Sequence, residues 1–175
     1  MRKFLILMVV VLSLIPERAT AQLCFDQLQA SNSASRFQLN GVDGTVTDRK
    51  TGLMWQRCLL GQTWNSQNLT CDGVYVLSNY QEGLILANDN RFAGHYTWRL
   101  PNIKELFTIL ETQCTFPLIN TNIFKFATAS NVPEILSSTL KSKDRVLKLA
   151  TNFVGHSTEH YLTARFGILL VRDAR

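Results

Sequence analysis

A short ladder of cations, four cysteines and one tryptophan in a polar loop are the residues of this sequence whose types and spacing point to chemistry. Lys141, Lys143 and Arg145 stand two apart, and on an extended strand that spacing turns all three to one side. Three cations spread over about 13 Å can meet successive sulphates or carboxylates of a linear polyanion, and such a surface binds chiefly by releasing counterions. Lys148 falls on the opposite face of a regular strand, although a turn at Asp144 would bring it round to join them. The competing reading is protective, since lysines on an edge strand or hairpin tip commonly guard against edge-to-edge association. Charge is concentrated in this part of the chain. From Leu140 onward Lys141, Lys143, Arg145, Lys148, Arg165, Arg172 and Arg175 face only Asp144, Glu159 and Asp173, within a chain of 175 residues and formal net charge +5.

Trp64 lies in the polar stretch between Cys58 and Cys71, where its ring would either stack on a sugar or fill the underside of the loop. The cysteines, Cys24, Cys58, Cys71 and Cys114, are even in number, and in an oxidising compartment that points to two disulfides. Three pairings are open on arithmetic. Cys58 with Cys71 is favoured because it closes the turn-rich loop, which leaves Cys24 with Cys114, and each bond adds about 2 to 4 kcal/mol. Neither metal nor cofactor is expected. There is no Cys-x-x-Cys, and His95, His156 and His160 are not spaced with the cysteines as ligands would be. His156 and His160 would align on a helix, but their stretch reads as a turn and strand. Asn88-Asp89-Asn90 offers oxygens to Ca²⁺, yet a helix end explains it as well. No Gly-x-Ser-x-Gly, phosphate loop or paired carboxylates on one face are present, so the expectation is a protein that binds rather than catalyses.

The first residues read as an export signal. Arg2 and Lys3 precede an apolar run from Phe4 to Ile15, and Ala19-Thr20-Ala21 has the small-x-small pattern of a cleavage site. That run spans roughly 18 Å as a helix against the about 30 Å of a bilayer core, so a retained membrane span is not expected. The expected division is a signal peptide over residues 1–21 and one domain over 22–175. With 46% hydrophobic and 18% charged residues, the chain has enough apolar side chains for one core.

The elements that must carry these residues follow from periodicity. Arg36 to Leu39, Thr45 to Asp48 and Leu53 to Cys58 read as strands joined by turns at Asp43-Gly44 and Lys50-Thr51-Gly52, a β-meander. Asn79 with Glu82 and Asn102 with Glu105 are capping-box pairs that open two helices. In the second helix Ile103, Leu106, Phe107 and Leu110 stand at i, i+3, i+4 and i+7 and predict one buried face. Trp55, Trp98, Leu100 and Pro101 are expected in the core. Beyond Cys114 and a looser connection, strands are expected over Ile135 to Thr139, Val146 to Phe153 and Arg165 to Arg172. Strands on both sides of a helical middle indicate α+β with a mostly antiparallel sheet.

Several strings taken together resemble the C-terminal domain family of bacterial collagen-like adhesins, the Lcl C-terminal domain family. They are Asp43-Gly44-Thr45-Val46-Thr47-Asp48, Thr51-Gly52-Leu53-Met54-Trp55-Gln56-Arg57-Cys58, Gly61-Gln62-Thr63-Trp64 and Trp98-Arg99-Leu100-Pro101-Asn102-Ile103-Lys104-Glu105-Leu106. The chain departs from the family in having no collagen-like region and in placing Leu136 where the family usually has Trp. The resemblance implies a C-type-lectin-like or sulfatase-modifying-factor-like domain, secreted or periplasmic, that binds acidic or sulphated polysaccharide. On this reading Lys141, Lys143, Arg145 and Lys148 form the polyanion surface. Nucleic acid suits the charge equally but is seldom met by an exported chain. A structural subunit of a cell-envelope or surface assembly is the alternative, and an oxidase-like enzyme, which would need reactive cysteines, is the third.

Overall fold

The computed structural model describes residues 22–127, 133–152 and 155–175. The expected export signal, and Phe153 at the end of one expected strand, lie outside the described residues. The strands are β1 (Leu23–Cys24), β2 (Phe37–Asn40), β3 (Thr45–Asp48), β4 (Leu53–Gln56), β5 (Thr63–Asn65), β6 (Thr70–Asp72) and β7 (Leu77–Ser78). Helices α1 (Tyr80–Asn88) and α2 (Ile103–Thr108) follow. The chain then forms β8 (Cys114–Thr115), β9 (Glu134–Ser142), β10 (Arg145–Ala150), β11 (Ser157–Tyr161), β12 (Phe166–Gly167) and β13 (Val171–Asp173). This is an α+β fold, antiparallel at every strand pair except β9 with β12. No helix among the described residues is long and apolar enough to cross a membrane.

The meander forms as its turn chemistry predicts. The β2–β3 and β3–β4 connections each end on a glycine, Gly44 and Gly52, in the left-handed region at φ 73° and 71°, where residues with a Cβ are strained. β13 adds to the open side of β4, giving a four-stranded sheet in the order β13-β4-β3-β2. A five-stranded sheet runs β11-β10-β9-β12-β7, and β1-β8 and β5-β6 form two-stranded ribbons. The Cys24–Cys114 disulfide joins the first ribbon and Cys58–Cys71 ties the second to the end of β4. Both helices open on complete capping boxes, Asn79 with Glu82 and Asn102 with Glu105, each contributing about 1 kcal/mol.

Two expectations are corrected. The run Arg165 to Arg172 is not one strand: Phe166-Gly167 pairs in the five-stranded sheet and Val171–Asp173 in the four-stranded one. Between them Ile168, Leu169 and Leu170 are fully buried. Phe166, Ile168 and Leu170 face one apolar cluster, with Trp98, Leu100 and Leu136, whereas Leu169 and Val171 face the other, with Trp55 and Phe124. The segment therefore keeps the two-residue alternation of extended chain, but both of its sides are core, so the sequence shows no polar alternation.

The second correction concerns α2. Ile103, Leu106 and Leu110 are buried as expected, but Phe107 is 41% exposed and Ile109 is fully buried. The buried stripe is centred between Ile103 and Leu106, at 100° per residue Phe107 lies at its margin, and the helix stops after Thr108 so that Ile109 turns inward. Phe124 and Phe126 fill the space beside Trp55 instead. Phe124 meets Phe37 and Trp55 edge-on at 6.1 and 6.3 Å, and Phe126 packs 6.0 Å from Phe124.

Candidate functional site

The cation ladder folds as a hairpin end. β9 stops at Ser142, Lys143 and Asp144 make the turn, and Arg145 opens β10 directly opposite Ser142. Lys141, Lys143 and Arg145 therefore surround one turn instead of lining one side of a single strand. The cause is local: the Ser142 hydroxyl donates to Asp144 Oδ1 at 2.7 Å, a side-chain bond of the kind that favours a turn over continued strand. Lys141 and Lys143 are exposed and have no ion-pair partner among the described residues. Arg145 is half-buried because its guanidinium lies 3.7 Å from the centroid of the Tyr161 ring, the residue opposite it on β11. Its nearest acid is Asp144, with Nε 4.0 Å from Oδ2.

Lys148 does not join this surface. It is 5% exposed, ion-paired to Glu134 on β9, with its ammonium 5.4 Å from the Phe166 ring centroid. The turn at Asp144 brings Lys148 back alongside Leu136, deep in the sheet rather than at its tip. Its aliphatic stem covers core while its charge is met by one carboxylate.

Trp64 stands in β5, half-buried. Its indole N–H donates to the Gly41 carbonyl at 2.9 Å, and the Arg57 guanidinium lies 4.4 Å from the ring centroid. Gly44 approaches so closely that a Cβ there would fall 2.4 Å from the ring. These contacts fill the underside of the loop. Arg57, 2% exposed, donates from Nε to the Ile123 carbonyl at 2.7 Å and from Nη2 to that of Asn122 at 3.0 Å. Burial pulls its pKa below the ordinary arginine value.

His95, whose ring lies 6.1 Å from that of Trp98, His160 and the Asn88-Asp89-Asn90 string take structural places. His160 lies in β11 with its ring 5.2 Å from that of Phe166, and His156 is exposed just before that strand. Asn88 ends α1, Asp89 caps it, and Asn90 Oδ1 accepts from Gln56 Nε2 and the Phe92 N–H, both at 3.0 Å.

Two buried carboxylates went unnoticed in the sequence. Asp48 is fully buried and takes Arg36 Nε at 2.7 Å, the Thr51 hydroxyl at 2.7 Å and the Lys50 N–H at 3.0 Å. Burial pushes its pKa up, but these donors outweigh burial and hold it below the usual carboxylate value. Glu111 likewise accepts from the Gln113, Ser31 and Asn32 N–H groups at 3.0, 2.9 and 2.9 Å, and from the Ser31 hydroxyl. Burial raises its pKa too, and the donors again bring it below normal. The Asp48 role had a readable signal, an Asp opening a turn that ends on Gly52; Glu111 had none, because Ser31 and Asn32 are some 80 residues away.

A family model described as the Lcl C-terminal domain matches residues 44–172, more than half of the chain. The matched span holds Arg57, Trp64, the Cys58–Cys71 bond, both helices and the hairpin cations. No curated protein matches the sequence.

Proposed function

The chain belongs to the Lcl C-terminal domain family, a surface-adhesin-associated domain, and from that premise we propose that it is an exported, non-catalytic binding module recognising acidic or sulphated polysaccharide. The observation that carries the reading is the β9–β10 hairpin end, where Lys141, Lys143 and Arg145 crowd one turn and Asp144 is the one acid within 4.0 Å of them among the described residues. Such a cluster draws sulphates or carboxylates from solution and is screened by salt. Tyr161 holds the Arg145 guanidinium in place beside the two lysines, which lowers the entropy lost when a ligand is bound. Both disulfides fit an oxidising, extracytoplasmic location, and cleavage after Ala21 would release the domain there. The pairing of all four cysteines in disulfides supports the binding reading over an oxidase that would need a free thiol.

The test is binding of residues 22–175 to heparin and to a panel of sulphated, carboxylated and neutral polysaccharides. Affinity for the acidic polymers should fall steeply between low and physiological salt. Changing Lys141, Lys143 and Arg145 together to Ser should remove most of the binding and leave the thermal midpoint unchanged. Elution of the triple variant from heparin at the wild-type salt concentration would overturn this assignment.

A second reading, a subunit of a surface assembly, is favoured by one feature: Leu84, Ile85 and Leu86 on α1 are all exposed, apolar side chains that contact with a partner would cover. Sedimentation of the purified domain tests it, with a concentration-independent monomer as the opposing result.

A further inference from the structure

Beside α2 runs a concave groove of about 480 Å³, lined in part by Ser31, Lys50, Thr51, Phe107, Thr108 and Thr112. Its size falls within the range of small-molecule sites, and its lining combines one apolar platform with hydroxyls and one cation. Phe107 supplies the platform, since the ring that helical periodicity assigns to the core stands 41% exposed at the groove. Lys50 supplies the cation; it is exposed and has no ion-pair partner among the described residues. Arg36 also borders the groove, but its guanidinium is committed to Asp48 and Asn32.

Both walls are held from behind. On one side the Asp48 carboxylate binds Arg36, the Thr51 hydroxyl and the Lys50 N–H. On the other, Glu111 fixes Ser31 and Asn32, and the Ser31 hydroxyl in turn accepts the Thr112 N–H at 2.9 Å. The groove is thus shaped before any ligand arrives, which reduces the ordering cost of binding. Thr108 donates to the Glu105 carbonyl at 2.7 Å, keeping its oxygen available as an acceptor.

We propose that this groove is a second ligand site, separate from the hairpin end, that seats one ring of an acidic sugar. The apolar C–H face of the sugar packs on Phe107, its carboxylate or sulphate meets Lys50, and its hydroxyls bond the Ser31, Thr108 and Thr112 oxygens. An apolar ring face beside acceptor oxygens and the Lys50 ammonium matches an acidic pyranose better than it matches a lipid tail, which brings neither an anion for Lys50 nor donors for those oxygens. The assignment rests on the glycan-binding reading and adds to it the place of a single sugar unit.

Amide shifts of residues 22–175, titrated with a sulphated heparin tetrasaccharide and with a hyaluronan tetrasaccharide, test the site. The Lys50, Thr51, Thr108 and Thr112 amides should move, and should still move in the variant lacking Lys141, Lys143 and Arg145. Phe107→Ala should weaken tetrasaccharide binding about tenfold, Phe107→Trp should retain it, and Lys50→Ser should weaken it without altering thermal stability. Shifts confined to the hairpin end, or unchanged affinity in Phe107→Ala, would overturn the groove while leaving the glycan reading intact. Absence of binding to any acidic polysaccharide or tetrasaccharide would overturn both.

Discussion

The Arg57 guanidinium lies 4.4 Å from the centre of the Trp64 ring, and Gly44 presses on the same indole so tightly that no Cβ would fit there. A buried arginine with backbone carbonyls as its hydrogen-bond partners gains from an aromatic face, by about 1 to 2 kcal/mol when water is excluded. Trp64→Ala is therefore expected to lower stability by about 2 kcal/mol while leaving heparin binding unchanged. Gly44→Ala should cost at least as much, because it adds a clash to a left-handed backbone. Chemical unfolding and a heparin column measure both effects. Loss of binding in a fully stable Trp64→Ala protein would instead assign the ring to sugar stacking.

Two phenylalanines should respond in opposite ways. Phe124, wedged between Phe37 and Trp55, should cost about 3 to 5 kcal/mol on replacement with Ala. Phe107→Ala should cost less than about 1 kcal/mol, since its ring is already part wet. Urea unfolding of the two variants side by side decides it; equal losses would place Phe107 in the core after all.

Lys148 is expected to matter for folding and not for polyanions. Lys148→Ser removes the partner of Glu134 and opens space against Phe166, and should lower stability by about 1 to 2 kcal/mol. The salt concentration of elution from heparin should stay the same. A lowered one would return Lys148 to the binding surface.

Acid should weaken the fold through Asp48 and Glu111. Their folded pKa values lie below the ordinary 3.8 and 4.5, so on unfolding they take up protons that the native state refuses. Stability from a depressed carboxylate is fully present above the unfolded value and disappears as pH drops through the folded one. Unfolding free energy should hold steady from pH 7 to about pH 5.5 and decline below about pH 4.5. Asp48→Asn and Glu111→Gln should each be less stable at pH 7 and show a shallower decline. Wild-type stability at pH 3 equal to that at pH 7 would refute the linkage.

What the sequence determined by itself is what neighbouring residues settle among themselves. The glycine-ended turns of the meander, the two capping boxes and the closure of the Cys58–Cys71 loop each need only a few consecutive residues or a 13-residue separation, and all were legible. Cys24–Cys114 followed by elimination, although its partners are 90 residues apart. What the tertiary structure alone decided is how many sides of an element are covered. Periodicity marks which residues share a face of α2, but only the packed structure shows where the covered stripe is centred, over Ile103, Leu106 and Leu110 with Phe107 at its margin. The continuous apolar run from Phe166 to Val171 carries the same letters whether it is one strand or a bridge between two sheets. Spacing put Lys141, Lys143 and Arg145 near one another, whereas burial of Lys148 depends on Glu134 arriving from the partner strand. Asp48 and Glu111 find some donors within their own turns, Lys50 and Thr51 for one and Gln113 for the other, but Arg36, Ser31 and Asn32 reach them only once residues 31–36 fold across the chain. Local signals are written in backbone preference and short-range hydrogen bonding; coverage and pairing depend on contacts between distant segments, which no local window contains.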